Sequence, residues 1–162
     1  QPVIAQVHGT AAAAGCQLVA SCDLAFADDN ATFATPGVNI GLFCSTPMVA
    51  VSRKINRKKM MEMLLLGDKI DSKTAVEHGL INRRVPAKLL NKAVSEVANK
   101  IASKSPLTLK IGKEAFYKQL EMPLSEAYEY TSKVMIQNMQ ARDAEEGISA
   151  FIEKRLPVWT GK

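Results

Sequence analysis

The stretch HGTAAAAGCQLVASCDLAF, residues 8–26, is the segment of this sequence that decides the fold. It begins with a run of very small residues, 9–15, and continues directly into residues 16–22, which are long enough for two helical turns. Residues 3–8, just before it, are rich in β-branched side chains and predict a short buried strand. Residues 23–27 alternate as a strand does. The order strand, small-residue turn, helix, strand predicts an α/β fold.

The small-residue turn also suggests a chemical role. Residues without bulky side chains let a ligand approach the backbone closely. The first amides of the following helix have no partner inside the helix and lie at its positive end, so they suit an oxygen on which negative charge develops. The alternative is that small residues here only allow tight packing of helix on strand. The spacing alone does not decide between the two, because a single small-residue turn is a weak motif.

Downstream, the pattern becomes mostly helical after a short strand at 31–34 and a turn at 35–37. Thr46-Pro47 predicts a helix start, with Thr46 as the cap. Asn56 and Asp71 are further cap candidates; the first of these helices should end at Gly67 and the second near residue 78. Residues 80–85 favour a short strand.

From residue 86 onward, apolar residues recur at helical spacing in four segments. We expect helices over about 89–102, over about 105–119, from Pro123 to about 139, and to Arg155 at the end, the last opened by a capping box of Asp143 and Glu146. These stripes exceed what a small α/β layer can cover. The excess predicts contact with further parts of the protein or with other subunits.

The overall composition indicates a soluble globular protein. The chain has 162 residues, 47% hydrophobic and 23% charged, and a net charge of +5. No apolar run reaches the ~18 residues that a membrane helix needs. A basic group spans residues 53–59, but the sequence lacks the interleaved aromatic residues and the module expected for nucleic-acid binding. The three cysteines show neither a disulfide framework nor zinc spacing, and suggest reduced, buried thiols. Since residue 1 already lies at the start of a predicted strand, we expect the natural protein to extend further toward its N-terminus, where any targeting peptide would lie.

Three blocks of the sequence together resemble the enoyl-CoA hydratase/isomerase (crotonase) superfamily. They are PVIAQVHGTAAAAGCQLVASCDLAFADDNATFATPGVNIGLF at 2–43, MLLLGDKIDSKTAVEHGLINRRVP at 63–86 and EGISAFIEKR at 146–155. The resemblance covers nearly the whole chain, in order and with the family's spacing, and it corresponds to the C-terminal half of the family domain. It implies a crotonase-like spiral of β-β-α turns over 1–85 and a helical trimerisation region over 86–162, with assembly into a homotrimer or hexamer. It also implies a mitochondrial location.

The resemblance also implies a ligand and a site. The ligand would be a coenzyme A thioester, as substrate or bound molecule, with no tightly held cofactor and no metal. Its carbonyl oxygen would be held by the backbone amide of Ala14, with Gly15 beside it, and by a second amide from the part of the family domain that is not in this chain. Lys154 matches a position that contacts the nucleotide of coenzyme A in some members, although it equally suits a solvated helix residue.

The sequence departs from the family pattern at the two positions where hydratases carry glutamates. Gln17 stands at the first and Gly37 at the second. A glutamine cannot shuttle a proton near neutral pH, and a glycine offers no side chain. Each positioned acid or base typically contributes ~10²–10⁴ in rate. We therefore expect ordinary hydration to be very slow.

No residue nearby offers a convincing replacement pair. Asp23 is expected to have a structural role at a strand start, Asp28 to lie in a turn and His8 to be a packed residue. Cys44 and Ser45 lie in the loop where some isomerases of the superfamily carry an acid, but neither has an evident base. Three functions remain open in order of preference: an acyl-CoA binder without hydratase activity, an active isomerase, decarboxylase, thioesterase or hydratase that uses groups from outside this chain, and, well behind, a structural or RNA-associated role of the basic group.

Overall fold

The computed structural model describes residues 1–162, and the chain divides into two compact units. One unit comprises residues 3–98, and the other comprises residues 99–162 together with residues 1–2. Each unit is described by itself below. No helix in the structure combines the length and the apolar character that crossing a membrane requires.

The first unit is built on two three-stranded sheets. The strands are β1 (Ile4–Val7), β2 (Thr10–Ala12), β3 (Leu24–Asp28), β4 (Thr32–Ala34), β5 (Ile70–Asp71) and β6 (Arg83–Val85). One sheet has the order β1-β3-β6 and is parallel throughout. In the other, of order β2-β4-β5, β2 runs parallel to β4 and β5 runs antiparallel to it. Two thin sheets linked by short helices confirm the α/β class predicted from the sequence.

The helices of this unit are short and begin largely where the sequence predicts. They are α1 (Ala14–Ser21), α2 (Ser45–Val51), α3 (Arg57–Leu66) and α4 (Ser72–Glu77), followed by the first part of α5 (Leu90–Ala102). The Asn56 side chain caps α3 by accepting the Lys59 N–H at 2.9 Å, and Asp71 caps α4 by accepting the Thr74 N–H at 2.8 Å. Gly67 ends α3 in the left-handed conformation, as expected for a glycine stop.

A continuous apolar core holds α1, α2 and α3 against the sheets. Its most buried large side chains include Phe33, Val51 and Met63, none more than 2% exposed. Burying a side chain of this size contributes roughly 1.5–3 kcal/mol, so these residues fix where the helices lie. The small-residue run packs into the same core through Ala11, with Ala13 partly buried against it.

The second unit consists mainly of helices. They are the end of α5, α6 (Pro106–Gln119), α7 (Leu124–Met139) and α8 (Arg142–Ile152). Large apolar side chains on this unit lie exposed in the isolated chain: Phe116, Leu120, Leu124, Tyr128, Met135, Ile136, Met139, Ile148, Phe151, Ile152, Leu156 and Val158. The expected excess of apolar surface over what the chain itself covers is therefore present.

A buried carboxylate ties the C-terminal tail to the helices of this unit. Asp143, 2% exposed, accepts the Ser105 hydroxyl at 2.6 Å. It also accepts the N–H and the hydroxyl of Thr160 at 2.8 Å and 2.9 Å, and the N–H of Gly161. The indole N–H of Trp159 donates to the Ser103 carbonyl at 2.8 Å. Because buried donors need acceptors, this one carboxylate satisfies groups from two segments, Ser105 before α6 and the C-terminal tail.

Several local predictions were wrong. The capping box is absent: α8 begins after Ala141, and the side chain of Asp143 binds the tail instead. Helix α2 begins at Ser45, one residue before the predicted cap, and no side chain caps it. The small-residue run contains the unpredicted strand β2, and the turn at 35–37 opens a 3-10 helix, Pro36–Ile40. The closing helix ends at Ile152, short of the predicted Arg155.

Candidate functional site

The site is built on the turn between β2 and α1. Ala13 joins the two with φ 49° and ψ −113°, a conformation that L-residues rarely adopt. Its N–H donates to the Ala34 carbonyl at 2.9 Å, and its carbonyl accepts the Gln17 N–H at 3.0 Å. The preceding residue, Ala12, is already paired with Ala34 in the parallel ladder of β2 and β4. The turn is thus held from both sides in a strained shape.

The strained turn leaves the first amides of α1 open. Ala14 is the first residue of the helix and is exposed, and neither its N–H nor that of Gly15 has an acceptor in the chain. A Cβ added at Gly15 would meet only the Ala11 Cβ, at 4.0 Å, so a ligand can approach the backbone at this point. Two open amides at the positive end of a helix can together bind an anionic or polarised oxygen. The structure therefore places Ala14 and Gly15 in an arrangement compatible with their predicted role.

Gln17 lies one turn into α1, behind these amides. It is half-buried, and its side-chain amide makes no hydrogen bond within the chain. At this position the side chain offers a hydrogen-bond donor and acceptor, but no group that changes its protonation near neutral pH.

Gly37 lies in the 3-10 helix that follows β4, three residues after Ala34. Its N–H donates to the Cys44 sulfur at 3.3 Å, and its carbonyl accepts the Leu42 N–H at 3.0 Å. The loop 37–44 therefore closes directly over a residue that has no side chain. No carboxylate is present at this position.

Two buried thiols adjoin these two positions: Cys16 precedes Gln17 in α1, and the Cys44 sulfur accepts the Gly37 N–H. Burial raises the pKa of the Cys16 thiol to about 11, an effect that the Ala34 backbone opposes and the nearby Cys44 reinforces. A thiol of that pKa remains protonated at neutral pH and is a poor nucleophile. Both cysteines are free and at most 7% exposed, which confirms the predicted burial of Cys16. Cys22, which was also predicted to be buried, is only partly buried.

The remaining acids and the histidine near the turn are placed as follows. Asp23 accepts the Val3 N–H at 2.6 Å and so has the structural role expected at the strand start. Asp28 accepts the Asn30 N–H at 2.9 Å, as in the predicted turn. His8 is exposed between β1 and β2, and not packed as predicted. Thr35 was not predicted: it is fully buried, and its hydroxyl has no hydrogen-bond partner in the chain.

Lys154 lies in the second unit, just after α8. It is exposed and adopts a left-handed conformation with φ 56°. The Arg155 N–H donates to the Ala150 carbonyl at 3.0 Å and the Lys154 N–H to the Phe151 carbonyl at 3.3 Å, which is the pattern of a Schellman motif. Glycine is the usual residue at this point of the motif, so Lys154 occupies it at a conformational cost.

Comparison with known proteins gives the same assignment as the sequence blocks. The family description "Enoyl-CoA hydratase/isomerase" matches residues 1–162. The chain belongs to this family. It is 54% identical over 159 residues to the human protein named enoyl-CoA hydratase domain-containing protein 3, mitochondrial, and 34% identical over 156 residues to mitochondrial enoyl-CoA hydratase of Pongo abelii.

Solved structures of the enoyl-CoA hydratase/isomerase family confirm the fold. The crystal structure of the human domain-containing protein 3 superposes with a TM-score of 0.96 at 53% identity, over 98% of this chain and 62% of that chain. An enoyl-CoA hydratase structure from Mycobacterium smegmatis gives a TM-score of 0.96 at 48% identity, with the same coverage of 98% and 62%. The crotonase-type spiral predicted from the sequence is therefore confirmed.

The chain spans about half the length of the curated relatives that it matches. The matched region covers 98% of this chain, but only 52% of the human relative and 53% of the rat relative, which has the same name. Groups that relatives draw from the other half of their length are thus outside these 162 residues.

Proposed function

We propose that this chain is part of an acyl-CoA-binding protein of fatty-acid metabolism that lacks ordinary enoyl-CoA hydratase activity. One observation carries the proposal. The open amides of Ala14 and Gly15 are retained at the start of α1, while the neighbouring positions of Gln17 and Gly37 carry no carboxylate. The site therefore keeps the groups that would bind a thioester carbonyl but lacks the acid and base that hydration needs.

The binding part of the proposal rests on the geometry of the turn. A thioester oxygen that approaches Ala14 meets an N–H without an internal partner at the positive end of α1. Nothing within 4 Å except the Ala11 Cβ would obstruct even a side chain at Gly15. A second amide, from outside these residues, would complete the hole, and removal of one such donor typically costs ~10²–10³ in rate.

The non-hydratase part rests on proton transfer. Hydration of a 2-enoyl thioester adds a hydroxyl group at C3 and a proton at C2, so one group must activate water and one must deliver the proton. Gln17 can orient water but cannot exchange a proton, and Gly37 can do neither. Two acids near these positions in sequence, Asp23 and Asp28, accept hydrogen bonds from backbone N–H groups.

Assembly and location complete the proposal. The exposed apolar side chains of α6, α7 and α8 suit a buried interface between copies in a trimer or hexamer. The matched relatives are named mitochondrial, and we place this protein in the same compartment. Lys154 is proposed to contact the coenzyme A nucleotide.

The test is turnover of saturated, 2-enoyl and 3-enoyl CoA thioesters by the full-length protein, followed by mass spectrometry, with thioester binding measured in parallel by calorimetry. We expect binding without a gain of water on any 2-enoyl substrate. A gain of one water would overturn the non-hydratase assignment. Double-bond movement, loss of carbon dioxide or release of coenzyme A would favour the active alternative, which the retained amides of Ala14 and Gly15 also support. Absence of binding by a folded protein would overturn the proposal altogether.

A further inference from the structure

The space beside Gly37 is already filled by another side chain. A Cβ built on Gly37 would lie 3.0 Å from the Cys44 sulfur, 3.0 Å from the Leu42 carbonyl oxygen and 3.2 Å from the Cys44 nitrogen. Favourable contacts between such heavy atoms begin at roughly 3.5 Å, so all three approaches are too close. Any side chain at residue 37 therefore requires these neighbouring atoms to move away by a few tenths of an ångström.

The glycine is required for space and not for backbone conformation. Gly37 does not have a positive φ, whereas Gly41 in the same loop does. The other glycines without positive φ differ: Gly15 would meet one methyl at 4.0 Å, Gly112 would meet nothing, and Gly147 would meet only the Trp159 ring. At Gly37 alone among these four does an added Cβ meet both backbone and a buried sulfur.

The sulfur has little freedom to move away. Cys44 is 7% exposed and belongs to the core that contains Cys16 and Val51. Its sulfur accepts the Gly37 N–H at 3.3 Å, and its carbonyl accepts the Met48 N–H at 3.0 Å in the first turn of α2. A rotation of the thiol would break the first contact and press the sulfur into a close-packed core.

We infer that Cys44 is a specificity-determining residue, whose thiol excludes a carboxylate-bearing side chain from residue 37 and so keeps the site from hydration. The inference rests on the proposed function, because it concerns what the acyl-CoA site can do. It adds that a glutamate cannot be restored by changing residue 37 alone, because residue 44 must change as well. Shortening residue 44 removes the contact with the sulfur, and the remaining contacts with the Leu42 oxygen and the Cys44 nitrogen then require a backbone shift of a few tenths of an ångström.

The test compares variants of the full-length protein. Gln17→Glu with Gly37→Glu forms the double variant, and Cys44→Ala is added to form the triple variant. We expect the triple variant to hydrate 2-enoyl-CoA with a kcat about 10²-fold or more above that of the double variant, because one positioned acid–base group typically contributes ~10²–10⁴. A triple variant no more active than the double variant overturns the inference.

A second measurement depends on neither activity nor acyl-CoA. Urea denaturation of Gly37→Ala, Cys44→Ala and the combined variant gives their coupling. We expect Gly37→Ala to destabilise less when residue 44 is already alanine, because the sulfur contact is gone. Additive effects overturn the inference. Failure of the proposed function is recognised separately, since wild-type protein would then either fail to bind acyl-CoA or hydrate 2-enoyl-CoA itself.

Discussion

The N–H of Ala13 donates to the Ala34 carbonyl at 2.9 Å while Ala13 holds φ 49° and ψ −113°. The hydrogen bond fixes the end of β2 beside β4, and the unusual dihedral angles then direct the chain into α1. Strain of this kind persists only where the surroundings enforce it, and it is concentrated at functional sites. Here it immediately precedes the open amides of Ala14 and Gly15.

Ala13→Gly should therefore stabilise the protein. Release of the strain gains roughly 1–3 kcal/mol, and the greater freedom of the unfolded glycine offsets about 0.4–1 kcal/mol, so we expect a net gain of about 1 kcal/mol in urea denaturation. The control is Ala12→Gly, in β2 and without positive φ, which should lose about 0.5–1 kcal/mol. Equal losses in the two variants would show that Ala13 is not strained in solution.

Prediction from the sequence succeeded where one residue decides a local structure. Asn56 and Asp71 cap their helices because a short polar side chain at this position can accept the N–H three residues further on, which has no partner inside the helix. Gly67 stops α3 for the equally local reason that glycine adopts positive φ without cost. The family's three blocks identified the fold because their order and spacing match the C-terminal half of the family domain.

Prediction failed where distant segments compete for the same group. Asp143 has the spacing of a capping residue, yet Ser105 and the tail at Thr160 and Gly161 use its carboxylate. The tail lies 17 or more residues away, so local sequence contains no sign of it. The contact between Gly37 and Cys44 was also not predicted. The two residues are seven positions apart in the sequence, and they meet only because the loop between them closes.

Lys154 offers a test that separates folding from ligand binding. Lys154→Gly and Lys154→Ala both remove the charge, but only glycine relieves the left-handed conformation. We expect the glycine variant to be about 1 kcal/mol more stable than the alanine variant in urea denaturation. If Lys154 contacts the nucleotide of coenzyme A, both variants should lose acyl-CoA affinity to the same extent in calorimetry. Unchanged affinity in both would assign Lys154 to the solvated surface.

The second unit should lose stability in acid. The Ser105 hydroxyl, helped by Thr160 and Gly161, lowers the pKa of Asp143 to about 2, and the Arg155 guanidinium with the Val158 N–H lowers the pKa of Glu146 to about 2. Since both folded values lie below the ordinary ones, their stabilisation is complete above about pH 5 and is lost as the pH falls toward 2.

Thermal melting between pH 7 and pH 2.5 measures this effect. Asp143→Asn and Glu146→Gln should each lower the melting temperature at pH 7 and flatten its decrease in acid. Glu145→Gln is the control, because Glu145 is an exposed neighbour on α8 and its side chain makes no hydrogen bond within the chain. An acid slope that persists in both test variants would mean that these carboxylates do not control acid stability.

Ser105→Ala tests the link between α6 and the tail more directly. Ser105, 3% exposed, accepts the Thr108 N–H at 3.2 Å as the cap of α6 and donates to Asp143 at 2.6 Å. Its removal leaves a helix amide and a carboxylate lone pair without partners in a buried place, so we expect a loss of about 1–2 kcal/mol in urea denaturation. Ser103→Ala is the matched control, because its exposed hydroxyl contacts only the Lys100 carbonyl and should change stability by less than about 0.5 kcal/mol. Equal effects at the two serines would mean that the Ser105 hydroxyl does not stabilise the link between α6 and Asp143.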